Sequence, residues 1–270
     1  MYHGDLKAGS HVLEFGGVTY IAGVINLSPE SRNAHTIASG PSEAVALARR
    51  YRQWGADLIE VGGQSSHYEA ATLPPEQEAE RLIPVVTALV EEGMPVAVDT
   101  WKPEVAEAAV EAGADIVNDT GGLSDERMRS LLAGSSAAVV VVHVDGSNPH
   151  DVDEVQLGED KAEFTAAALA RLLGELPAEL EARTILDPGI AINYRGDYAA
   201  YTRLQLDVIR KSDVLASLER PVMIPIPRKP DIHWVTAYIT MALEYGADLI
   251  RVHDVPLAAG IRRLWDRVPR

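Results

Sequence analysis

The stretch GADIVNDTGG, residues 113–122, contains the pattern that decides the fold of this chain. A glycine that can end a helix is followed by a short turn, then by an apolar strand, and then by polar residues. The same pattern returns as GADLIEVGG at residues 55–63 and as GADLIRVHD at residues 246–254. This repetition predicts alternating helices and strands, with polar residues where the strands end.

Eight short apolar segments are separated by helical segments such as residues 42–54, 75–92 and 102–112. They are residues 18–25, 58–61, 95–98, 116–118, 138–143, 184–187, 222–226 and 249–252. They lack polar–apolar alternation, which favours a parallel sheet covered on both faces. Eight strands alternating with helices over about 250 residues predict an α/β protein with a (β/α)8 TIM barrel. An open doubly wound sheet is the runner-up, but no glycine-rich dinucleotide turn follows the first strand.

Composition and charge narrow the class of protein. The chain has 270 residues, of which 47% are hydrophobic, and we expect one domain spanning residues 1–270. The absence of cysteine excludes disulfides and thiolate metal sites, and the net charge of -16 argues against a nucleic-acid partner. No apolar run approaches the roughly 20 residues that cross a membrane, and no export signal is visible at the N-terminus. We therefore expect a cytoplasmic protein without a membrane partner.

Polar side chains follow every predicted strand. They are Asn26, Gln64, Ser65, Ser66, His67, Asp99, Thr100, Asn118, Asp119, His143, Asp145, Asp187, Arg228, Lys229, Arg251, His253 and Asp254. In a TIM barrel the active site forms at these carboxyl ends of the strands. A buried polar group without a hydrogen bond costs about 1–3 kcal/mol, so we predict that these groups converge on a ligand.

The kinds of polar group suggest which ligand is bound. Two aspartates, an asparagine and a lysine suit the edge of a flat, nitrogen-rich ring such as a guanine or a pterin. Arg251 and His253 are expected to face outward to an anion, since a guanidinium can make paired hydrogen bonds to phosphate. Asn26 lies across the seam between the first and eighth strands. A phosphate or pyrophosphate with Mg²⁺ is therefore expected between these two strand ends.

Six separated segments carry a family resemblance. They are GVINLSPES (23–31), GADLIEVGGQSS (55–66), AVDTWKPEVAEAAVEAGADIVNDTGGL (97–123), ILDPGIA (185–191), PRKPD (227–231) and RVHDV (251–255). In order and across nearly the whole chain, they resemble the dihydropteroate synthase family. The resemblance implies a TIM barrel that joins 6-hydroxymethyl-7,8-dihydropterin pyrophosphate to p-aminobenzoate and releases pyrophosphate.

The resemblance also implies roles for single residues. The residues expected to hold the pterin ring are Asp99, Asn118, Asp187 and Lys229, of which Asp99, Asp187 and Lys229 are the expected catalytic groups. The residues expected to receive the pyrophosphate with Mg²⁺ are Asn26, Arg251 and His253, with Asn26 as the metal ligand. Barrels of this family commonly pair through their later helices, so a homodimer is expected.

The departures from the family pattern cluster on the side of the aromatic amine. Ser65-Ser66-His67 stands where the family usually reads Ser-Thr-Arg, and residues 191–194 replace Gly-Phe-Gly-Lys. Pro227 replaces the usual serine before Arg-Lys, and Arg32 replaces an apolar residue of the first loop. The candidate residues of this second-substrate side are Ser66, His67, Ile192 and Pro227.

Several functions stay open at this point. The first is a dihydropteroate synthase, and the second is a pterin-binding paralogue that lacks synthase activity or uses another amine or nucleophile. A folate-dependent methyltransferase would share the barrel, but methyl transfer from folate has no pyrophosphate for Arg228, Arg251 and His253 to hold. A pure binding protein is the fourth alternative.

Overall fold

The computed structural model describes residues 1–31, 33–67, 69–152, 160–192 and 197–268. Its strands are β1 (Asp5–Ala8), β2 (His11–Glu14), β3 (Tyr20–Asn26), β4 (Leu58–Gly62), β5 (Val96–Asp99), β6 (Ile116–Asp119), β7 (Ala138–Val142), β8 (Gly146–Asn148), β9 (Asp151–Val152), β10 (Thr184–Asp187), β11 (Met223–Pro225) and β12 (Leu249–Val252). Eight of them pair in parallel in the order β10, β7, β6, β5, β4, β3, β12, β11. A parallel bridge between Leu186 and Val222 joins the two ends of this sheet. The predicted (β/α)8 barrel is confirmed.

Helices follow the barrel strands and cover the outside of the sheet. They are α1 (Pro41–Trp54), α2 (Pro75–Val90), α3 (Pro103–Glu111), α4 (Glu126–Ala133), α5 (Lys161–Leu173), α6 (Ala178–Glu181), α7 (Tyr198–Arg210), α8 (Ser212–Ala216), α9 (Ile232–Glu244) and α10 (Val255–Trp265). Proline in the first turn suits the starts of α1, α2 and α3, because its missing N–H would be unpaired there anyway. Across the described residues, no helix has the length and apolar character needed to cross a membrane.

The aspartate of each repeated Gly-Ala-Asp pattern ties two neighbouring strands together at their entry ends. Asp57 accepts a hydrogen bond from the backbone N–H of Ile21 at 2.8 Å, and Asp115 accepts one from Val96 at 3.0 Å. Asp248 does the same for the N–H of Val222 at 2.9 Å. The repeated pattern therefore fixes strand register at the end of the barrel opposite the predicted site.

The N-terminal hairpin of β1 and β2 is a feature that the sequence analysis did not predict. It covers the entry end of the barrel, where Leu6, Leu13 and Phe15 are buried against the barrel core. Each strand has four residues, which is too short for a periodic pattern to be recognised. The segment 147–161, predicted as a long loop, contains most of the short β8–β9 hairpin, and residues 153–159 lie outside the described residues.

Asp115 links this hairpin to the barrel, which gives a test of the fold. The buried carboxylate also accepts hydrogen bonds from the backbone N–H and the hydroxyl of Ser10, at 2.9 and 3.0 Å. Asp115→Ala should lower the free energy of unfolding by about 2–4 kcal/mol, because it leaves buried donors without an acceptor. Asp115→Asn keeps one acceptor oxygen and should cost about half as much. Urea denaturation measures both, with exposed Asp5→Ala as the control; equal stability of all three variants would contradict the assignment.

Candidate active site

The carboxyl ends of the barrel strands surround one cleft. Its wider part has a volume of about 200 Å³ and continues into a narrower floor of about 30 Å³. All the candidate residues line one or both parts: Asn26, Ser66, His67, Asp99, Asn118, Asp187, Ile192, Pro227, Lys229, Arg251 and His253. The structure therefore brings the predicted pterin, pyrophosphate and amine residues together at one end of the barrel.

Some of the polar residues after the strands have other roles, which corrects the expectation that all of them converge. Asp119 accepts hydrogen bonds from the N–H groups of Gly121 and Leu123, both at 2.8 Å, and so shapes its own loop. Asp254 caps α10 by accepting from Leu257. His143 and Asp145 pair with each other at 3.3 Å and do not line the cleft. Polar residues at a strand end can thus serve a turn or a cap as well as a ligand.

Glu60 lies at the centre of the site, although the sequence analysis treated it as part of an apolar strand. Its carboxylate accepts from Arg251 Nε at 2.5 Å and from Asn118 Nδ2 at 3.0 Å. Arg251 Nη2 also donates to Asp99 at 3.1 Å. The guanidinium therefore points inward, whereas we expected it to face outward, because the carboxylates of Glu60 and Asp99 both lie within hydrogen-bond distance of it. The available signal was a charged residue within a fully buried strand, since such residues are seldom buried without a partner.

The floor of the cleft carries more carboxyl groups than cations. Burial raises the pKa of Asp99 to about 7, with Arg251 opposing the shift and Glu60 adding to it. Burial also raises the pKa of Asp187 to about 7, although the hydrogen bond from the N–H of Gly189 and the charge of Arg251 both lower it. These groups are poised between their neutral and ionised forms near neutral pH. A ligand that supplies N–H donors would favour the ionised forms.

The Asp187-Pro188-Gly189 turn holds one of these carboxyl groups in place. Gly189 has a positive φ of 70°, and an added Cβ would come within 1.8 Å of the carbonyl oxygen of His143. Its N–H donates to Asp187 Oδ1 at 2.7 Å. Glycine is therefore required at this position, because another side chain would displace the N–H that orients Asp187.

Lys229 enters the cleft from the loop after β11. Its Nζ donates to Thr202 Oγ1 at 2.9 Å and to Gln205 Oε1 at 2.8 Å, and it lies 5.2 Å from the centre of the Tyr238 ring. Burial lowers the pKa of Lys229 to about 8. Sequence reasoning missed Thr202, Gln205 and Tyr238, because residues on α7 and α9 reach the site only through tertiary packing.

The opposite side of the cleft is suited to an anion. Asn26 Nδ2 donates to Thr36 at 2.6 Å, which leaves Oδ1 as an acceptor on the cleft wall. His253 Nδ1 is buried and has no hydrogen-bond partner within the described part of the chain. Burial lowers the pKa of His253 to about 3, and Arg251, His35 and Arg228 add to this effect. A neutral imidazole with an unused nitrogen can donate one hydrogen bond to a phosphate oxygen.

The second-substrate residues lie on the rim of the cleft. His67 Nδ1 accepts from the N–H of Glu69 at 3.2 Å, which sets the direction of its ring. Ile192 and Pro227 are buried apolar contacts of the rim. Of the other departures noted in the sequence, Arg32 and residues 193–194 lie outside the described residues. The rim is thus formed by loops, whereas the floor is formed by strand ends.

Comparison with known proteins agrees with this geometry. The sequence model of the family described as pterin binding enzyme matches residues 22–253. The dihydropteroate synthase of Synechocystis sp. is 32% identical, with 98% of this chain and 95% of the relative covered. The Bacillus subtilis enzyme of the same name is 28% identical over 94% of this chain and 90% of its own length.

Solved structures show the same relationship. Dihydropteroate synthase from Thermus thermophilus, solved in complex with 4-aminobenzoate, has a TM-score of 0.81 at 28% identity and covers 98% of this chain and 100% of its own. The Xanthomonas albilineans enzyme with 4-aminobenzoic acid has a TM-score of 0.82 at 27% identity, with 98% and 99% covered. The family match over most of the chain and the identity to a full-length relative confirm the resemblance: the chain belongs to the dihydropteroate synthase family of pterin-binding enzymes.

Proposed function

We propose that this chain is a transferase that condenses 6-hydroxymethyl-7,8-dihydropterin pyrophosphate with p-aminobenzoate and releases pyrophosphate. One observation carries the proposal: a buried floor rich in acceptors opens directly onto a wall that carries Arg228 and His253 within a single cleft. A substrate with a donor-bearing ring at one end and a pyrophosphate at the other matches both surfaces at once. Family membership supports the same reaction.

The floor suits the pterin ring. Asn118 Oδ1 is buried and has no hydrogen-bond partner among the described residues, and Asp99 and Asp187 border the same pocket. The amino group and ring N–H of a pterin can donate to these oxygens. Lys229 can donate to a ring nitrogen or carbonyl from the other side. Binding then ionises the aspartates, whose carboxylates are held ready by Arg251 and Gly189.

The wall suits the leaving group. His253 can donate to a phosphate oxygen, Arg228 lines the same cleft, and Asn26 Oδ1 can bind a metal ion. Mg²⁺ prefers oxygen ligands and usually keeps phosphate and water oxygens in its shell, so one protein ligand is enough. When bound, Mg²⁺ would neutralise charge on the pyrophosphate. Arg251 lies between floor and wall and contributes its positive charge to both.

The reaction follows from this division of charge. The bond between the pterin methylene carbon and the pyrophosphate oxygen breaks, and its electron pair leaves with the pyrophosphate. Positive charge on the methylene spreads into the pterin, where the Asp99 and Asp187 carboxylates stabilise it. The nitrogen of p-aminobenzoate then forms the new C–N bond and loses a proton to a pyrophosphate oxygen or to His67. An aromatic amine is a weak base, so the site must position it more than deprotonate it.

The proposal also includes a homodimer and a location in the cytoplasm. Helices α7 and α9 border a cavity of about 700 Å³ that includes Leu204, Leu206 and Trp234, and the Trp234 side chain is exposed. Arg203, Asp207 and Arg210 line the same cavity, and its apolar part on the later helices supports a homodimer. The cytoplasmic location stays a prediction from the sequence.

Asp187→Asn tests the pterin floor. The substitution keeps an acceptor for Gly189 but removes the charge, so affinity for a pterin ligand should fall about 10- to 100-fold, the range for a lost hydrogen bond to a charged group. Calorimetry measures this change. Unchanged affinity would contradict the assignment of the floor as the pterin site.

The same variant has a second readout that separates lost binding from lost folding. Because burial raises the pKa of Asp187, the stability it contributes is present at low pH and lost as pH rises through about 7. Asparagine stays neutral throughout. Relative to the parent, the variant should therefore gain about 1–3 kcal/mol in free energy of unfolding between about pH 5 and pH 8.

Asn26→Ala tests the metal site. Binding of pyrophosphate should require Mg²⁺ in the parent and should weaken about tenfold or more in the variant, because the protein oxygen is lost. Thr36→Val is the matched control, since it removes the partner of Asn26 Nδ2 but keeps Oδ1. Calorimetry with and without Mg²⁺ measures both. Pyrophosphate binding that does not depend on Mg²⁺, or an equal loss of affinity in the two variants, would contradict the assignment of Asn26 as a metal ligand.

The rim predicts weak recognition of the amine's carboxylate. The imidazole of His67 lacks the paired donors with which an arginine binds a carboxylate, and Pro227 offers no hydroxyl. A pyrophosphate-release assay should show turnover with a high KM for p-aminobenzoate and poor inhibition by sulfonamides. His67→Arg should lower that KM about tenfold. No turnover together with normal pterin binding would favour a paralogue that uses another acceptor. Tight binding of p-aminobenzoate by the parent would show that His67 and Pro227 weaken amine recognition little.

A further inference from the structure

The loop between β4 and α2, residues 63–74, carries Ser66 and His67 to the rim of the cleft; Tyr68 lies outside the described residues. We call it the second loop. Within the loop, the N–H of Ala70 donates to the carbonyl of His67 at 2.8 Å, and the N–H of Leu73 donates to Gln64 Oε1 at 2.7 Å. Hydrogen bonds within a loop shape it but do not fix it against the barrel, so contacts with other parts of the chain set its position.

His150 makes that contact from the loop that connects β8 to β9. Its Nε2 lies 2.9 Å from the carbonyl oxygen of Ser65, and its Nδ1 lies 2.7 Å from the hydroxyl oxygen of Thr72. Ser65 and Thr72 stand near opposite ends of the second loop. One imidazole ring therefore joins the two ends and holds the loop to a different part of the barrel.

The chemistry of the two partners fixes the tautomer of His150. A carbonyl oxygen can only accept, so Nε2 must carry a proton. The hydroxyl of Thr72 can donate to a neutral Nδ1 or accept from a protonated one. Both hydrogen bonds therefore persist in either charge state of the ring.

The ring of His150 is itself held in place. Its backbone N–H donates to Asn148 Oδ1 at 2.9 Å, and its ring meets the edge of Trp101 with 5.0 Å between centroids. Next to Trp101, the buried Lys102 donates to the carbonyl of Leu73 at 2.7 Å. Lys102 also donates to Gln64 Oε1 at 2.7 Å, so Lys102 and His150 each hold both ends of the second loop. His150 binds the backbone of Ser65, directly before Ser66.

We propose that His150 is a positioning residue for the second substrate. It holds the second loop in the shape that places Ser66 and His67 at the rim, and it does so without lining the cleft itself. The floor rests on strand ends that His150 does not contact. Loss of His150 should therefore impair recognition of the amine and leave recognition of the pterin intact.

Hydrogen exchange of the free protein tests the structural half of the proposal. His150→Phe keeps a ring against Trp101 but removes both hydrogen bonds, so amides of residues 65–67 and 69–73 should exchange about five- to tenfold faster. Thr72→Val removes one bond and should have a smaller effect, while Thr72→Ser keeps the hydroxyl and should restore protection. Amides of β5 serve as the internal reference. Unchanged exchange in the second loop of His150→Phe would overturn the proposal.

Kinetics and calorimetry test the functional half, which rests on the proposed function. In His150→Phe the KM for p-aminobenzoate should rise about five- to tenfold, with the Kd for pterin pyrophosphate unchanged. Exposed His233→Phe is the matched control and should change neither value. Equal losses of pterin and amine binding would mean a general structural role and would overturn the proposal. If the parent shows no turnover with p-aminobenzoate, the proposed function fails, and the exchange experiment still decides whether His150 holds the loop.

Discussion

The buried pairing of Arg251 with Glu60 is the interaction on which the site depends. Glu60 is 1% exposed, and removing Arg251 would leave its carboxylate without a cation inside the barrel, at a cost of about 3–5 kcal/mol. The same guanidinium reaches Asp99 and lowers the energy of its ionised form. One cation thus interacts with several carboxyl groups. The carboxylate oxygens that it does not reach need other hydrogen-bond donors, and the N–H groups of a pterin ring can provide them. The pairing links the stability of the barrel to the chemistry of its ligand.

Much of this arrangement could be predicted from the sequence, for identifiable reasons. The repeated Gly-Ala-Asp pattern marks helix ends and strand starts, so the barrel follows from local signals. Asp99, Asn118 and Asp187 directly follow or end strands, so topology alone brings them together. Glu60 was missed because its neighbours are apolar. Gln205 and Tyr238 were missed because their contacts with Lys229 depend on how α7 and α9 pack, which no local pattern reports.

The two halves of the cleft rest on different kinds of support. Asp99, Asn118 and Asp187 stand at the ends of hydrogen-bonded strands, where backbone position is set by the whole sheet. Ser66, His67 and Pro227 stand on loops, whose position depends on a few side-chain contacts. Substitutions in loops disturb fewer neighbours than substitutions in a sheet. This difference fits the sequence analysis, in which the departures from the family pattern lie on the proposed amine side and the proposed pterin side keeps its residues.

The aspartates at the entry ends of the strands have a consequence for how such a barrel can change. Asp57, Asp115 and Asp248 set strand register through backbone N–H groups at the face opposite the cleft. Alignment of the strands therefore does not depend on which residues occupy the loops at the other face. Loops at the cleft face can therefore change, and the ligand specificity with them, while the strands stay aligned. The entry face of the barrel preserves the fold, and the cleft face can vary in sequence.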